Sequence, residues 1–350
     1  MSEITRRHFV EAAGMVVAAA TSLKVAAQGA AQGAAQGAAP VAQRASRFNT
    51  VRDLTEDELV AMFERCSNTG KWGADDEIGT LNYITPKKRI AAAALVKTGE
   101  VLSVGRDLST QQTKVNPRPV DHIMFATPPN SPGRSDWFSI ASHGMTVTHM
   151  DSLSHFSYDG KLYNNRDVAT SITPNGAKWG SIFAQKNGIF TRGVLLDVAA
   201  VRGVPWYVSD EYVTVADFEA AEKRQNLKVG SGDAIFVRTG MEAMEKALGE
   251  QDVYPRAGLH AECVEWMHKR EVSVYGGDCI EKLPYPSKKF PSAMHMIGLV
   301  SMGLPILDWP ALTELAALCE SKKRWDYLLT SAPLRFPGAT ATPINPLCLF

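Results

Sequence analysis

Hydrophobic and polar positions along the chain follow two different periods. Extended patterns occur in EVLSVG, WFSIASHGMTVTHM, IFTRGVLLDV, DAIFVRTG, VSVYGGD and YLLTSAPLRF. Helical spacing lies between them, in VADFEAAEKRQ, MEAMEKAL, HAECVEWMHKR and ALTELAALCESKK. Strands and helices are therefore interleaved, with long extended stretches in the middle of the chain. This arrangement predicts an α/β or α+β domain built on a mixed sheet.

Two helix starts precede the first strand. Thr55 is a capping residue, and Glu58 three positions later completes a capping box. We expect this helix to end before Gly70. A second helix begins at Thr85-Pro86, with proline at the first helical position, and the alanine-rich sequence predicts that it continues to Gly99.

The first residues have the pattern of an export signal. Arg6 and Arg7 stand before a modest apolar run, and Val25-Ala26-Ala27 offers a small-residue cleavage site. We expect a twin-arginine signal peptide and a periplasmic mature protein, with an amphipathic N-terminal helix as the alternative.

The expected organisation has three parts. Residues 1–27 form the signal peptide, and residues 28–45 form an Ala/Gln/Gly spacer that has few side chains to bury. Residues 46–350 form one catalytic domain.

Charge and cysteine content narrow the classes of function. Lys plus Arg equals Asp plus Glu at 37 each, so no basic excess favours nucleic acid as a partner. No apolar run approaches the ~18 residues that a membrane span needs. The five cysteines form no C-x-x-C pair, which argues against a thiolate zinc site. They are interpreted as buried thiols, with a Cys263–Cys279 disulfide as the minor alternative.

The candidate chemistry lies in HGMTVTHMDSLSHF, which begins at His143. On a strand, His143, His149, Asp151 and His155 would share one face by parity. His143 and His149 would nevertheless lie roughly 20 Å apart unless the chain bends, whereas His149 and Asp151 would be roughly 7 Å apart at the backbone. His155 fits a turn or a short helix that begins at Ser152.

Two interpretations of this cluster remain open. Imidazole nitrogen and carboxylate oxygen are typical ligands of zinc, manganese or iron. Alternatively, the histidines are buried and bond to backbone carbonyls while Asp151 caps a helix.

The sequence also resembles the cyclase family of metal-dependent hydrolases, which includes kynurenine formamidase, isatin hydrolase and trans-dienelactone hydrolase. THMDSLSHF is similar to the family's T-H-x-D-x-x-x-H core. The other similar blocks are, in order, WGADDEIGTLNYITP, YDGKLYN, VADFEAAEKRQNLKVGSGDAIFVRTG, VEWMHKREVSVYGGD, MHMIGLVSMGLPI and APLRFPGATATPINP.

The resemblance implies a swivelling β/β/α domain with a mixed β-barrel flanked by helices, assembled as a homodimer or homotetramer. It implies a small-molecule substrate and hydrolysis of a cyclic amide, an ester or a formamide by water activated on a divalent metal ion, with zinc or manganese favoured. An exported small-molecule binding protein of the same fold, without turnover, is the alternative.

The resemblance also implies roles for single residues. His149 and Asp151 match metal ligands, and His155 matches a histidine that binds a second metal or acts as acid and base. His295 resembles a histidine of a C-terminal helix that reaches the same site. Met145 stands where shorter members have a histidine, so either His143 replaces that ligand or the site has fewer. Asp308 stands near the position of a family glutamate and is the candidate to replace it as a metal ligand.

Aromatic residues offer a further hypothesis about the substrate. Four tryptophans could form a wall for a planar ring, although core packing is the expected role for at least half of them. They are Trp72, Trp137, Trp179 and Trp206.

Overall fold

The computed structural model describes residues 51–125, 132–252 and 254–350. The expected signal peptide and the whole of the expected spacer lie outside these residues. The strands are β1 Val101–Ser103, β2 Asp121–Phe125, β3 Ser135–Ser139, β4 His149–Asp151, β5 Lys161–Leu162, β6 Arg166–Asp167, β7 Ile172–Thr173, β8 Gly176–Ala177, β9 Ile189–Leu196, β10 Tyr212–Val213, β11 Ala234–Val237, β12 Gly258–Leu259, β13 Val274–Gly277, β14 Ile306–Asp308, β15 Asp326–Ser331, β16 Ala341–Pro343 and β17 Leu347–Leu349.

Nine α-helices occur among the described residues, and the first two begin directly after their predicted capping residues. They are α1 Glu56–Arg65, α2 Pro86–Ala93, α3 Val168–Ser171, α4 Val198–Val201, α5 Val215–Gln225, α6 Met241–Leu248, α7 Glu262–Lys269, α8 Ala293–His295 and α9 Thr313–Lys322. Short 3-10 turns occur at Gly79–Tyr83, Tyr163–Asn165 and Ile182–Gln185, and a π-helix at Met296–Met302 continues α8.

The first two helices test the capping predictions. Both bonds of the predicted capping box are present at the start of α1, where Thr55 accepts from the backbone of Glu58. The start of α2 is also confirmed, but its predicted end at Gly99 is wrong. The helix stops at Ala93, and the following turn is fixed where Arg324 Nη2 donates to the carbonyl of Leu95 at 2.8 Å.

A mixed sheet organises the described residues. Nine of their strands pair in the order β1-β17-β15-β9-β11-β13-β14-β4-β16, and the sheet curls into a half-barrel flanked by helices. The four central strands β9, β11, β13 and β14 are parallel, whereas β4 and β16 continue the sheet in antiparallel pairs. The predicted mixed sheet is thereby confirmed.

Both faces of the central strands are buried. Ile235 and Val237 of β11 pack in one hydrophobic cluster, while Phe236 between them packs in a second cluster on the opposite face. Helices α5 and α7 contribute to the first cluster, and α9 contributes to the second. A strand that is buried on both faces appears in the sequence as a nearly continuous apolar run. The apolar residues of IFTRGVLLDV and DAIFVRTG therefore predict the central strands.

The long extended stretch WFSIASHGMTVTHM does not form one strand. Its beginning lies in β3 and its end in β4, and residues 140–148 form turns and irregular structure between them. The peptide N–H of Gly144 donates to Ala141, and that of Val147 donates to Gly144. The chain therefore bends at the point where a straight strand would have held His143 far from His149.

Two further expectations concern the thiols and the helices. All five cysteines are buried and free, so the alternative of a Cys263–Cys279 disulfide is wrong. Among the described residues, we find no helix with the length and hydropathy needed to cross a membrane.

Candidate metal centre

Strand β4 brings three candidate ligands to one face of the sheet. His149 lies opposite Asp308 of β14 in the antiparallel register, and Asp151 follows two positions later on the same face. Met150 between them is fully buried in the hydrophobic cluster on the other face. The predicted pairing of His149 with Asp151 is therefore anchored by a core side chain that fixes the register.

The imidazole of His149 points its Nε2 atom at two carboxylates. Its Nδ1 lies 2.8 Å from the carbonyl oxygen of Val147, to which an Nδ1–H donates. Nε2 lies 3.6 Å from Asp151 Oδ1 and 3.6 Å from Asp308 Oδ2. A backbone bond of this kind fixes the tautomer and leaves Nε2 available as a ligand.

His143 and His155 reach the same carboxylate from two turns. His143 Nδ1 lies 3.0 Å from Asp151 Oδ1, and His155 Nε2 lies 3.9 Å from Asp151 Oδ2. Their rings stack at a centroid distance of 3.7 Å. The bend before β4 supplies His143, and a turn closed by the His155 N–H and the Ser152 carbonyl supplies His155.

His295 approaches the site from helix α8, and one nitrogen of its imidazole is hydrogen-bonded to Glu281. Its Nδ1 lies 2.8 and 2.9 Å from Oε1 and Oε2 of Glu281, and Oε2 also accepts the backbone N–H of His295. Its Nε2 lies 3.7 Å from Asp151 Oδ2 and 3.8 Å from Asp308 Oδ2. This carboxylate–histidine arrangement is typical of imidazoles that bind a metal or transfer a proton.

The buried carboxylates lack the partners that such groups need. Both oxygens of Asp151 and Oδ1 of Asp308 are buried without a hydrogen-bond partner in the part of the chain that the structure describes. His143 Nδ1 lies 3.0 Å from Asp151 Oδ1, but the two atoms are not aligned as in a regular hydrogen bond. Unpaired buried carboxylates are costly unless a cation balances them.

Two triads of possible ligands share Asp151. One comprises His143, Asp151 and His155, and the other comprises His149, Asp151 and Asp308, with the ligand atoms of each within 4.8 Å of one another. Ligand atoms around a tetrahedral zinc ion, at bond lengths of 2.0–2.2 Å, lie about 3.3–3.6 Å apart. In the second triad, the distances from His149 Nε2 to Asp151 Oδ1 and to Asp308 Oδ2 are both 3.6 Å, so these residues fit a divalent ion.

The site shifts the pKa values of its residues in different directions. Burial alone would raise the pKa of Asp151, but the surrounding histidines, His155 first among them, hold it below its usual value. Burial lowers the pKa of His155 to about 3, because the attraction of Asp151 offsets only part of that effect. Burial also acts to lower the pKa of His295, but Glu281 and Asp308 outweigh it and raise that pKa well above the usual value.

A cavity of about 260 Å³ opens over these groups. It is lined by His143, Met145, His149, His155, Phe156, Tyr254, Arg256, Ile280, Glu281, Leu283, Ser292, His295, Asp308 and Trp309. Asp151 lies beneath it, fully buried. All six predicted site residues are thus brought together.

The predicted tryptophan wall is wrong for this cavity. Trp72 packs edge-on against Tyr83, Trp179 stacks on Tyr163 and Trp206 is buried, and none of the three lines the cavity. Trp137 lies on the exposed hairpin of β2 and β3. The aromatic lining comes instead from Phe156, Tyr254 and Trp309.

Three residues of the site were not found by sequence reasoning. Glu281 follows the carboxyl end of parallel strand β13, and side chains at such ends meet at one edge of the sheet, which was an available signal. Trp309 directly follows Asp308 and has a left-handed backbone, with φ at 57°. Arg256 lies in an irregular segment, and nothing in its sequence context indicates a site.

The family and the fold agree with this geometry. The family model named Cyclase matches residues 75–281 of the 350, more than half of the chain, and the chain belongs to the cyclase family. No match was found among curated proteins.

Two solved structures illustrate the fold. A protein described as a novel cyclase is 29% identical, with a TM-score of 0.72 over 81% of this chain and 99% of its own. Isatin hydrolase A from Labrenzia aggregata, bound to benzyl benzoate, is 16% identical, with a TM-score of 0.52 over 73% of this chain and 94% of its own. The predicted cyclase-like β/β/α fold is confirmed.

Proposed function

We propose that this protein is a metal-dependent hydrolase that opens a cyclic amide or ester, or cleaves a formamide. The observation that carries the proposal is the buried carboxylate of Asp151, whose two oxygens lack hydrogen-bond partners within the described residues while four imidazoles face it. Membership of the cyclase family supports the same conclusion.

His149, Asp151 and Asp308 are the residues proposed to hold a divalent ion, with zinc or manganese favoured by the nitrogen and oxygen donors. His143 is proposed as a further ligand of the ion, because its Nδ1 lies 3.0 Å from Oδ1 of Asp151. Such an ion lowers the pKa of water from ~15.7 towards ~7 and polarises a carbonyl group.

The two remaining histidines are proposed to move protons in opposite directions. Burial lowers the pKa of His155 to about 3, so the ring is neutral at pH 7, and it is proposed to accept a proton transiently at Nε2. His295 has a raised pKa because Glu281 and Asp308 stabilise its charged form, so it is suited to donate one from Nε2 to the leaving nitrogen or oxygen. Environments that separate two pKa values in this way are typical of acid and base pairs.

The proposal is tested by metal analysis combined with hydrolysis of a small panel. The protein is loaded with Zn²⁺ or Mn²⁺ and assayed with isatin, a δ-lactone and an N-formyl aniline. We expect turnover of at least one class of substrate. This activity should be lost after chelation of the metal and should return when the metal is restored. A protein that binds metal and takes up these compounds without any turnover would instead be a binding protein.

A second copy of this chain is the proposed partner. The hairpin of β2 and β3 exposes residues on both of its faces, with Ile123 opposite Trp137 and with Phe138 60% exposed. Exposed apolar groups at this density are typical of protein interfaces. We expect a homodimer or homotetramer by light scattering, and Ile123→Ser with Phe138→Ser should shift it towards monomer. A wild-type monomer at micromolar concentration would contradict this proposal.

A further inference from the structure

Arg256 is a buried cation that forms no ion pair with an acidic side chain in the part of the chain that the structure describes. The residue is 5% exposed, and its Nε and Nη1 atoms are buried without a hydrogen-bond partner among the described residues. Burial lowers its pKa to about 10, because the attraction of Glu245 and Asp278 offsets only part of the desolvation. The carboxylate of Asp308 is directed elsewhere, towards His149 and His295.

The fold holds this guanidinium in place without using an acidic group. The backbone N–H of Arg256 donates to the carbonyl of Leu283 at 2.7 Å, and the N–H of Leu283 returns a bond of 2.9 Å. The guanidinium carbon lies 4.2 Å from the centre of the Trp309 ring. Trp309 itself is fixed where its carbonyl accepts the Thr148 hydroxyl at 2.7 Å.

Arg256 also stands between two cavities. It lines the cavity of about 260 Å³ over the candidate metal centre and a neighbouring cavity of about 310 Å³ that Tyr207 and Met244 also line. An unpaired buried charge lowers the stability of a fold and persists where a ligand requires it. The planar donors of a guanidinium match a carboxylate in two parallel hydrogen bonds.

We propose that Arg256 binds a carboxylate of the molecule that the site acts on. This inference rests on the proposed hydrolase function for the chemistry at the metal centre. Hydrolysis adds water across the C–N or C–O bond, the leaving group takes a proton, and the acid half ionises to a carboxylate. The carboxylate at Arg256 is therefore either present in the substrate or formed by the reaction.

Direct binding tests the assignment without requiring turnover. Benzoate and its neutral analogue benzamide are titrated calorimetrically into the Zn²⁺-loaded protein and its variants. We expect benzoate to bind at least 10-fold more tightly than benzamide. Arg256→Gln should weaken benzoate binding by about 10-fold to 100-fold, the usual effect of losing a hydrogen bond between charged groups. Arg256→Lys should retain part of it.

Control measurements separate this effect from damage to the fold or the metal site. Arg224→Gln removes the same charge at the surface, where Arg224 pairs with Glu320, and should bind benzoate as the wild type does. Arg256→Gln should keep its bound zinc and its circular dichroism spectrum, because the deleted charge pairs with no acidic group among the described residues and only its contact with the Trp309 ring is lost. Unchanged benzoate affinity in Arg256→Gln, or no preference for benzoate over benzamide in the wild type, would overturn the assignment.

Kinetics then distinguish the two sources of the carboxylate. If the substrate carries it, Arg256→Gln raises KM for 4-acetoxybenzoate but not for neutral phenyl acetate. If the reaction forms it, KM is unchanged for both esters and only inhibition by the acid product weakens. Benzoate binding through Arg256 without any hydrolysis would uphold this inference while refuting the proposed hydrolase function.

Discussion

At the scale of single residues, Asp151 organises the candidate metal centre. It is fully buried, and imidazole nitrogens of His143, His149, His155 and His295 lie 3.0–3.9 Å from its oxygens. A carboxylate with two oxygens can bridge two ions or hold one ion and orient a proton donor. The two triads that share Asp151 support either arrangement.

The separate roles proposed for His155 and His295 give the first prediction. His155→Gln should keep the metal, because the other triad is intact, and should lower the rate by roughly 10²–10⁴, the usual contribution of a positioned acid or base. His295→Gln should also lower the rate. It should remove the limb of the pH–rate profile that arises from ionisation of the acid. Metal content and pH–rate profiles of both variants are the measurements.

Different outcomes would reassign these histidines. A His155→Gln protein without metal would make His155 a ligand and His295 the better base. If both variants kept the wild-type rate, neither histidine would move protons in the reaction.

Some of the site could be predicted from the residues alone. The separation of His149 and Asp151 by two positions determines their shared face on any strand. The positions of His143 and His155 relative to Asp151 depend on turns at residues 140–148 and at Ser152, and parity does not encode them. Glu281 and Arg256 reach the cavity from a distant part of the chain, and their placement depends on tertiary pairing of the segments around Arg256 and Leu283.

At the scale of secondary-structure elements, local signals were sufficient where they did not compete with tertiary contacts. The starts of α1 and α2 follow from their capping residues, and the central strands follow from continuous apolar runs. The end of α2 does not follow from the sequence, because it depends on a contact with a distant residue. The break in WFSIASHGMTVTHM depends on turns at Gly144 and Val147, which the extended pattern of apolar residues does not indicate. Arg324, more than two hundred positions away, bonds the carbonyl of Leu95 after α2.

The capping box of α1 gives a prediction at this scale. Thr55→Ala removes the side chain that accepts from the Glu58 N–H, and it should lower the free energy of unfolding by about 1 kcal/mol. Thr55→Ser keeps the hydroxyl and should stay close to wild type. Urea denaturation measures both changes. Equal stability of Thr55→Ala and wild type would show that the cap contributes little to the fold.

At the scale of the whole molecule, composition predicted the general class but not the assembly of the site. The apolar content supports a sheet buried on both faces, and five isolated cysteines proved to be buried thiols. The family resemblance predicted the fold, which the similar solved structures confirm.

Export remains a prediction that the described residues do not test. Replacing Arg6 and Arg7 together with lysine should leave the precursor in the cytoplasm, because the twin-arginine translocon recognises that pair. Arg44→Lys, a similar change in the expected spacer, should be exported normally. Cell fractionation with an immunoblot is the measurement, and undiminished periplasmic protein from the double variant would refute the predicted localisation.

The central claim is that the cluster around Asp151 holds a divalent ion, and the amount of bound metal tests it most directly. Four proteins are compared: the wild type, His149→Ala, Asp151→Asn and, as the control, His122→Ala on the exposed hairpin. Each is loaded with Zn²⁺, desalted and analysed for bound metal by mass spectrometry, and circular dichroism checks that it is folded. The proposed site predicts at least one zinc per chain in the wild type and in His122→Ala. It predicts little or none in folded His149→Ala and Asp151→Asn. Full zinc occupancy in either of these two variants would contradict the claim.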